Sequence, residues 1–170
     1  MTYMLNSIKA ISPHKQKDVH LSVIKLYEFA AKKYPKKFTA FDFVAFEDFD
    51  DLKYYSGLIN EHFKDIKDFN PTVCYHAGES FKRKNDNCMN AIESGTKRIG
   101  HGLNILRNPK AIELVKQKGI TIESCPLSNI LLGYVNDLNW HPVKFLKDMG
   151  VKIRYFLLKL LILVFGYSYI

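Results

Sequence analysis

Segments typical of β-strands alternate with segments typical of helices about five times along this chain, at intervals of roughly 25 to 35 residues. The strand-like segments are rich in aromatic, β-branched and other apolar residues, and they comprise residues 3–8, 38–46, 71–75, 97–100 and 120–124. Neither an internal repeat nor a flexible linker interrupts the alternation. The pattern predicts an α/β fold in which successive βα units surround one parallel sheet.

The segments between the strands carry the end signals and the periodicity of helices. Ser12 and Pro13 predict the start of the first helix, and Pro35 predicts its end. Asn108 and Pro109 predict the start of another helix, which continues to residue 118. The remaining predicted helices comprise residues 53–69, 85–94 and 142–149. This succession supplies one helix for each crossover between neighbouring parallel strands.

Composition describes a globular chain with one core. Of its 170 residues, 47% are hydrophobic and 25% are charged, so enough apolar surface is available for folding. The net charge of +8 comes from lysines spread along helix faces, and nucleic acid is not expected as a partner. Three cysteines without Cys-x-x-Cys spacing argue against a structural zinc site and a complete disulfide framework. No signal peptide is visible at the start of the chain.

Polar residues capable of chemistry follow three of the predicted strands. His76 and Glu79 come at the end of residues 71–75, His101 follows residues 97–100, and Cys125 follows residues 120–124. In parallel sheets of this kind, the loops at the carboxyl ends of the strands form the functional site. A single His-x-x-Glu pair is weak evidence, but its recurrence with other polar groups at strand ends predicts one shared site at that rim.

The other histidines have simpler interpretations. His62 lies within the apolar stripe of its predicted helix, which favours a partly buried helix histidine over a metal ligand. His141 precedes Pro142 and marks a helix start, so it is not assigned to the site. His14 and His20 are expected to be exposed. Three polar residues beside Cys125 are interpreted either as groups that orient ligands or as loop caps, namely Glu123, Ser128 and Asn129.

Several motifs in this order resemble the adenosine deaminase family, most closely its adenosine deaminase-related growth factor branch. They are His76-Ala77-Gly78-Glu79, residues 95–102, residues 123–129, residues 132–138 and His141-Pro142, with a looser fit at residues 41–48. The resemblance extends from residue 3 to about residue 151. It implies a partial (β/α)8 TIM barrel, with about strands 3 to 7 and the start of strand 8, over residues 1–153. Residues 154–170 form an apolar tail of non-family sequence.

The same resemblance implies roles for individual residues. His76 would be a ligand of a single Zn²⁺, and Glu79 would protonate the purine ring nitrogen and thereby also bind the substrate. His101 would lie beside the zinc-bound water, steer it, and either stabilise or accept its proton. Ala45 stands where that branch has a glycine against the purine, so a methyl group would intrude on the base. The substrate would be a purine nucleoside, adenosine or 2'-deoxyadenosine, converted to inosine or 2'-deoxyinosine.

The chain also departs from the family pattern. The family has a His-x-His pair that supplies two zinc ligands, and the six histidines here include no such pair. No acidic residue follows Asp148, although the family has a zinc-binding aspartate after its eighth strand. The missing His-x-His pair alone is half of the expected ligands and the aspartate is missing as well, so we expect a truncated piece of such a deaminase. Residues 155–170 are too few to span a membrane, since about 20 apolar residues are required.

Three hypotheses about function remain open from the sequence. The chain is an adenosine deaminase by family, active when its missing parts are supplied, or a catalytically inactive secreted module that acts like a growth factor, or a non-functional gene fragment. The growth-factor branch implies an extracellular location. The sequence does not determine the oligomeric state, and no membrane partner is expected.

Overall fold

The computed structural model describes residues 3–8, 17–44, 52–66, 71–80 and 86–156. Its six strands are β1 (Tyr3–Ile8), β2 (Phe38–Val44), β3 (Val73–Ala77), β4 (Arg98–His101), β5 (Thr121–Ser124) and β6 (Lys152–Tyr155). They form one sheet, in chain order, and every neighbouring pair is parallel. Within the described residues, β1 and β6 are the two edges of this sheet. The predicted parallel α/β sheet with outer helices is confirmed.

Helices occupy the crossovers between the strands. They are α1 (Lys17–Lys33), α2 (Leu52–Phe63), α3 (Asn87–Glu93), α4 (Pro109–Gln117), α5 (Pro126–Leu131) and α6 (Pro142–Asp148), with a 3₁₀ helix at Leu103–Arg107. The predicted end of α2 is wrong, because the helix ends at Phe63 rather than near residue 69. Both α5 and the 3₁₀ helix are additional to the prediction. The predicted helix start at Ser12 and Pro13 lies outside the described residues.

Side-chain caps mark the starts of three helices, and the sequence predicted two of these starts, at Asn108 and at His141. The side chain of Asn108 accepts a hydrogen bond from the backbone N–H of Ala111, and Pro109 occupies the first turn of α4. The side chain of Asp86 caps α3 in the same way, through the N–H of Met89. His141 accepts from the N–H of Val143 and caps α6, which confirms it as a helix start.

One face of the sheet builds the hydrophobic core. Phe41, Phe43, Tyr75, Ile99 and Ile122 alternate along their strands and pack beneath the outer helices. Each large apolar side chain that is fully buried contributes about 1.5–3 kcal/mol relative to an exposed one. Within the described residues, no helix combines the length and apolar character that crossing a bilayer requires.

The opposite face of the same strands is polar. Asp42, Cys74, His76 and Glu123 point away from the helices, as expected from the two-residue period of a strand. The register pairs Asp42 with Cys74, His76 with Gly100, and Gly100 with Glu123. Because the sheet is parallel, every strand contributes its carboxyl end to the same rim.

The structure overturns one expectation about the histidines and supports another. The prediction that His20 is exposed is wrong, because α1 turns this residue into the core, where its ring lies 5.3 Å from the ring of Tyr55. His14 lies outside the described residues. His62 is a half-buried helix residue, as predicted, and its Nε2 is 2.7 Å from Glu28 Oε2.

Candidate active site

Three predicted site residues meet at the carboxyl rim of β3 and β4. His76 is the penultimate residue of β3, His101 is the last residue of β4, and their ring centroids are 4.9 Å apart. Glu79 follows the turn after β3, and its Oε1 lies 3.2 Å from His101 Nδ1. Both histidines are buried and Glu79 is half-buried. Segments that are separate in the chain therefore converge on one small cluster.

The carboxyl group of Asp42 contacts the imidazole ring of His76. Its Oδ1 lies 3.3 Å from His76 Nδ1, and its side chain is fully buried. A carboxylate at one ring nitrogen fixes the orientation of the ring and leaves Nε2 as the nitrogen suited to a metal. Sequence reasoning did not assign Asp42 to the site. The available signal was an acidic residue placed between two phenylalanines on a buried strand.

Two glycines make room for this arrangement. A Cβ atom on Gly100 would lie 3.0 Å from His76 Nδ1 and 3.3 Å from its Cγ, so the imidazole rests directly against this backbone. Gly78 has φ of 74°, and a Cβ there would lie 2.3 Å from both Cys88 Sγ and Asn104 Oδ1. Glycine is required at position 78 by both conformation and space.

The backbone at His101 is strained. With φ of 66°, it is the single non-glycine residue with positive φ among those that the structure describes. Left-handed conformations are unfavourable for side chains with a Cβ, by about 1–3 kcal/mol, and they occur preferentially at functional sites. The turn is held by the N–H of Gly102, which donates to the carbonyl of Ala77 at 3.0 Å.

Asn129 connects the cluster to a third histidine. Its Nδ2 is 3.0 Å from His101 Nδ1 and 3.4 Å from Glu79 Oε1, and its Oδ1 is 3.2 Å from His141 Nε2. Burial lowers the pKa of His141 below its usual value. From the sequence, Asn129 could be interpreted either as a group that orients ligands or as a loop cap, and His141 was not assigned to the site. The structure places Asn129 against both Glu79 and His101, and it places His141 against Asn129.

A second polar layer lies one step below the rim. Arg98 forms a close ion pair with Glu123 Oε1, and the Cys74 thiol lies 3.5 Å from Glu123 Oε2. One potential metal-ligating atom each from Asp42, Cys74 and Glu123 lies within 4.8 Å of the others. Arg98 compensates the charge of Glu123, and the carboxyl group of Asp42 lies against His76 Nδ1. Arg98 and Glu123 therefore form an ion pair with a buried carboxylate in this layer.

The donor set at the rim fits part of a zinc site. His76 has the imidazole and the supporting carboxylate that zinc-binding histidines usually have. Zinc sites use at least three protein ligands, and the described rim residues do not complete such a set around His76. Ala45, predicted to contact the substrate, lies outside the described residues.

Comparison with known proteins agrees with this architecture. A family model described as adenosine deaminase matches residues 6–155. An adenosine deaminase from Plasmodium falciparum is 37% identical over 123 residues, which cover 71% of this chain and 32% of that protein. An adenosine deaminase 2 from Dictyostelium discoideum is also 37% identical, over 71% of this chain and 23% of that protein. The chain thus spans about a third or less of the length of these curated relatives.

A solved structure provides the corresponding comparison of folds. The crystal structure of an adenine deaminase from Arthrobacter aurescens superposes with a TM-score of 0.71, at 19% identity, over 91% of this chain and 43% of that one. At this identity the likeness concerns the fold. The six parallel strands described for this chain, with the helices between them, correspond to part of a TIM-barrel deaminase.

Proposed function

Because the chain belongs to the adenosine deaminase family, we propose that its protein catalyses the zinc-dependent hydrolytic deamination of adenosine and 2'-deoxyadenosine. The products are inosine or 2'-deoxyinosine and ammonia. The observation that carries the proposal is the convergence of His76, Glu79 and His101 at one strand rim. These are the residues to which the family resemblance gives ligand, acid and water-steering roles.

The chemistry explains why a carboxyl group is needed at Glu79. An amino group leaves an aromatic ring poorly, so water must first add to the ring carbon that bears it. This addition breaks the aromaticity of the ring and shifts an electron pair onto the neighbouring ring nitrogen. That nitrogen must then bind a proton. A half-buried carboxylic acid can supply that proton, and the proton that the attacking water loses restores the acid. The amine then leaves as ammonia with the proton that the added hydroxyl group gives up as it becomes the carbonyl of the product.

The two rim histidines have different tasks in this proposal. His101, buried and hydrogen-bonded to Asn129, orients the water that attacks the ring. His76, whose ring Asp42 orients, would be one ligand of the zinc. When bound, zinc lowers the pKa of water towards neutrality and so makes a strong nucleophile available at neutral pH. The residues that complete its ligand set are not among the described ones.

An assay of the purified protein with adenosine tests the proposal. Loss of adenosine absorbance in the ultraviolet, together with release of ammonia, measures turnover. Glu79→Gln should lower kcat by about 10²–10⁴-fold, because it removes the proton donor. Glu93→Gln, at an exposed position of α3, is the matched control and should leave the rate unchanged. A protein that binds zinc but leaves adenosine intact would contradict the proposed reaction.

Two finer assignments rest on the resemblance to the growth-factor branch. They are an extracellular location and a growth-factor-related activity. Immunodetection of the protein in culture medium and in washed cells tests the first of these. Accumulation in the medium would support it, whereas retention in the cells would exclude it.

A further inference from the structure

A line of buried polar groups leads from a backbone amide in α6 to the catalytic cluster. The N–H of Val143 lies 3.1 Å from His141 Nδ1, His141 Nε2 lies 3.2 Å from Asn129 Oδ1, and Asn129 Nδ2 lies 3.0 Å from His101 Nδ1. All three side chains in this line are at most 3% exposed. Water therefore does not compete for these hydrogen bonds.

The direction of the first hydrogen bond in the line is fixed. A backbone N–H can only donate, so Nδ1 of His141 accepts from Val143 and carries no proton. Burial lowers the pKa of His141 and so favours the neutral ring. The one proton of that neutral ring then lies on Nε2, which donates to the oxygen of Asn129.

The hydrogen bond from His141 also determines how the side-chain amide of Asn129 is oriented. With its Oδ1 accepting from His141, Asn129 presents its NH2 group to the other side. That group donates one hydrogen towards His101 Nδ1 and has a second hydrogen for Glu79 Oε1, at 3.4 Å. If Asn129 donates to it, Nδ1 of His101 is an acceptor and carries no proton, and the ring proton lies on Nε2.

We propose that Asn129, oriented by His141, is a positioning residue that holds His101 in the tautomer protonated at Nε2. In the deamination reaction, on which this consequence rests, His101 then donates a hydrogen bond to the attacking oxygen and does not act as its base. The competing arrangement is visible in the same cluster. Since Glu79 Oε1 lies 3.2 Å from His101 Nδ1, a proton on Nδ1 could bind the carboxylate directly if the amide did not occupy that nitrogen.

Nitrogen-15 NMR of histidine-labelled protein tests the tautomer without substrate. Protonated and unprotonated ring nitrogens have well-separated shifts, and couplings to the ring carbon-bound protons assign them. The wild-type protein should show His101 protonated at Nε2 and unprotonated at Nδ1. A His101 proton on Nδ1 in the wild type would overturn the proposal, whatever the behaviour of any variant.

Variants test the role of the amide. Asn129→Leu keeps the approximate size but removes the donor, so the proton of His101 should move to Nδ1, where Glu79 accepts it. Ser128→Ala, at the adjacent buried position of α5, is the matched control and should leave the tautomer unchanged. His141→Ala should give a mixture of both tautomers, because the amide of Asn129 is then free to turn over.

An unchanged His101 tautomer in a folded Asn129→Leu protein would contradict the proposed role of Asn129. Because the measurement reads a nitrogen shift, absence of deaminase activity would not affect it. The proposed tautomer and the proposed reaction can therefore fail separately.

Discussion

The two faces of the sheet use the same strands for opposite purposes. On β2, Phe41 and Phe43 bury aromatic rings under the helices, while Asp42 between them faces the polar side and supports His76. On β3, Tyr75 stacks parallel to Phe43 with centroids 5.8 Å apart, while its neighbours Cys74 and His76 belong to the polar layers. Stability and chemistry are thus interleaved residue by residue, and single substitutions should separate them.

The largest effect is expected on the apolar face. Phe43 is fully buried and its ring contacts those of Phe41 and Tyr55 at 5.0 and 4.8 Å. Phe43→Ala should lower the free energy of unfolding by about 3–5 kcal/mol, because it removes these contacts and leaves a cavity. Urea denaturation measures the change. The matched control is Phe29→Ala, since Phe29 is 61% exposed and its loss should alter stability by less than about 0.5 kcal/mol.

The next largest effect is expected on the polar face. Arg98→Met removes the guanidinium that compensates the fully buried carboxylate of Glu123. The free energy of unfolding should fall by about 3 kcal/mol, because an uncompensated charge then remains in a medium of low polarity. The double variant Arg98→Met/Glu123→Gln should recover most of this loss. If the double variant is as unstable as the single variant, the loss of stability comes from the packing of the arginine side chain and not from the ion pair.

A smaller effect is expected where a glycine supports the site. Gly100→Ala places a methyl group 3.0 Å from His76 Nδ1, which should displace the imidazole and lower the free energy of unfolding by about 1–2 kcal/mol. Thermal unfolding and the NMR shifts of His76 report the two consequences. Gly57→Ala is the control, since nothing lies within 4 Å of its added Cβ in helix α2, and it should stabilise the protein by about 0.5–1 kcal/mol.

The smallest effect concerns pH. Because burial lowers the pKa of His141 in the folded protein, the unfolded chain binds a proton there first as the pH falls below about 6.5. Unfolding is then coupled to proton uptake, so this residue reduces stability as the pH falls through that range and has no effect above it.

His141→Asn isolates that contribution. Asparagine can cap α6 but does not titrate, so its stability between pH 7 and 5 should fall less steeply than that of the wild type. Urea denaturation at several pH values makes the comparison. Parallel pH profiles for the two proteins would mean that His141 is not kept neutral by folding.

Much of the fold could be predicted because its signals are local. The alternation of apolar strands and capped helices is visible within windows of ten to twenty residues, and Asn108 with Pro109 defines a helix start from neighbouring atoms. His76, Glu79 and His101 could be chosen because each lies at or just beyond the carboxyl end of a predicted strand. Boundaries that depend on packing were less predictable, as at the end of α2 and at the buried side of α1 that contains His20.

The sequence by itself determined the order of strands and helices, the rim to which the polar motifs belong, and the family that they resemble. Tertiary structure decided which distant residues join them. Asp42 reaches His76 across 34 residues of chain, and Asn129 reaches His101 across 28. The physical reason is that a parallel sheet aligns strand ends that are far apart in the chain, and contacts between them depend on register and side-chain direction, which no local pattern contains.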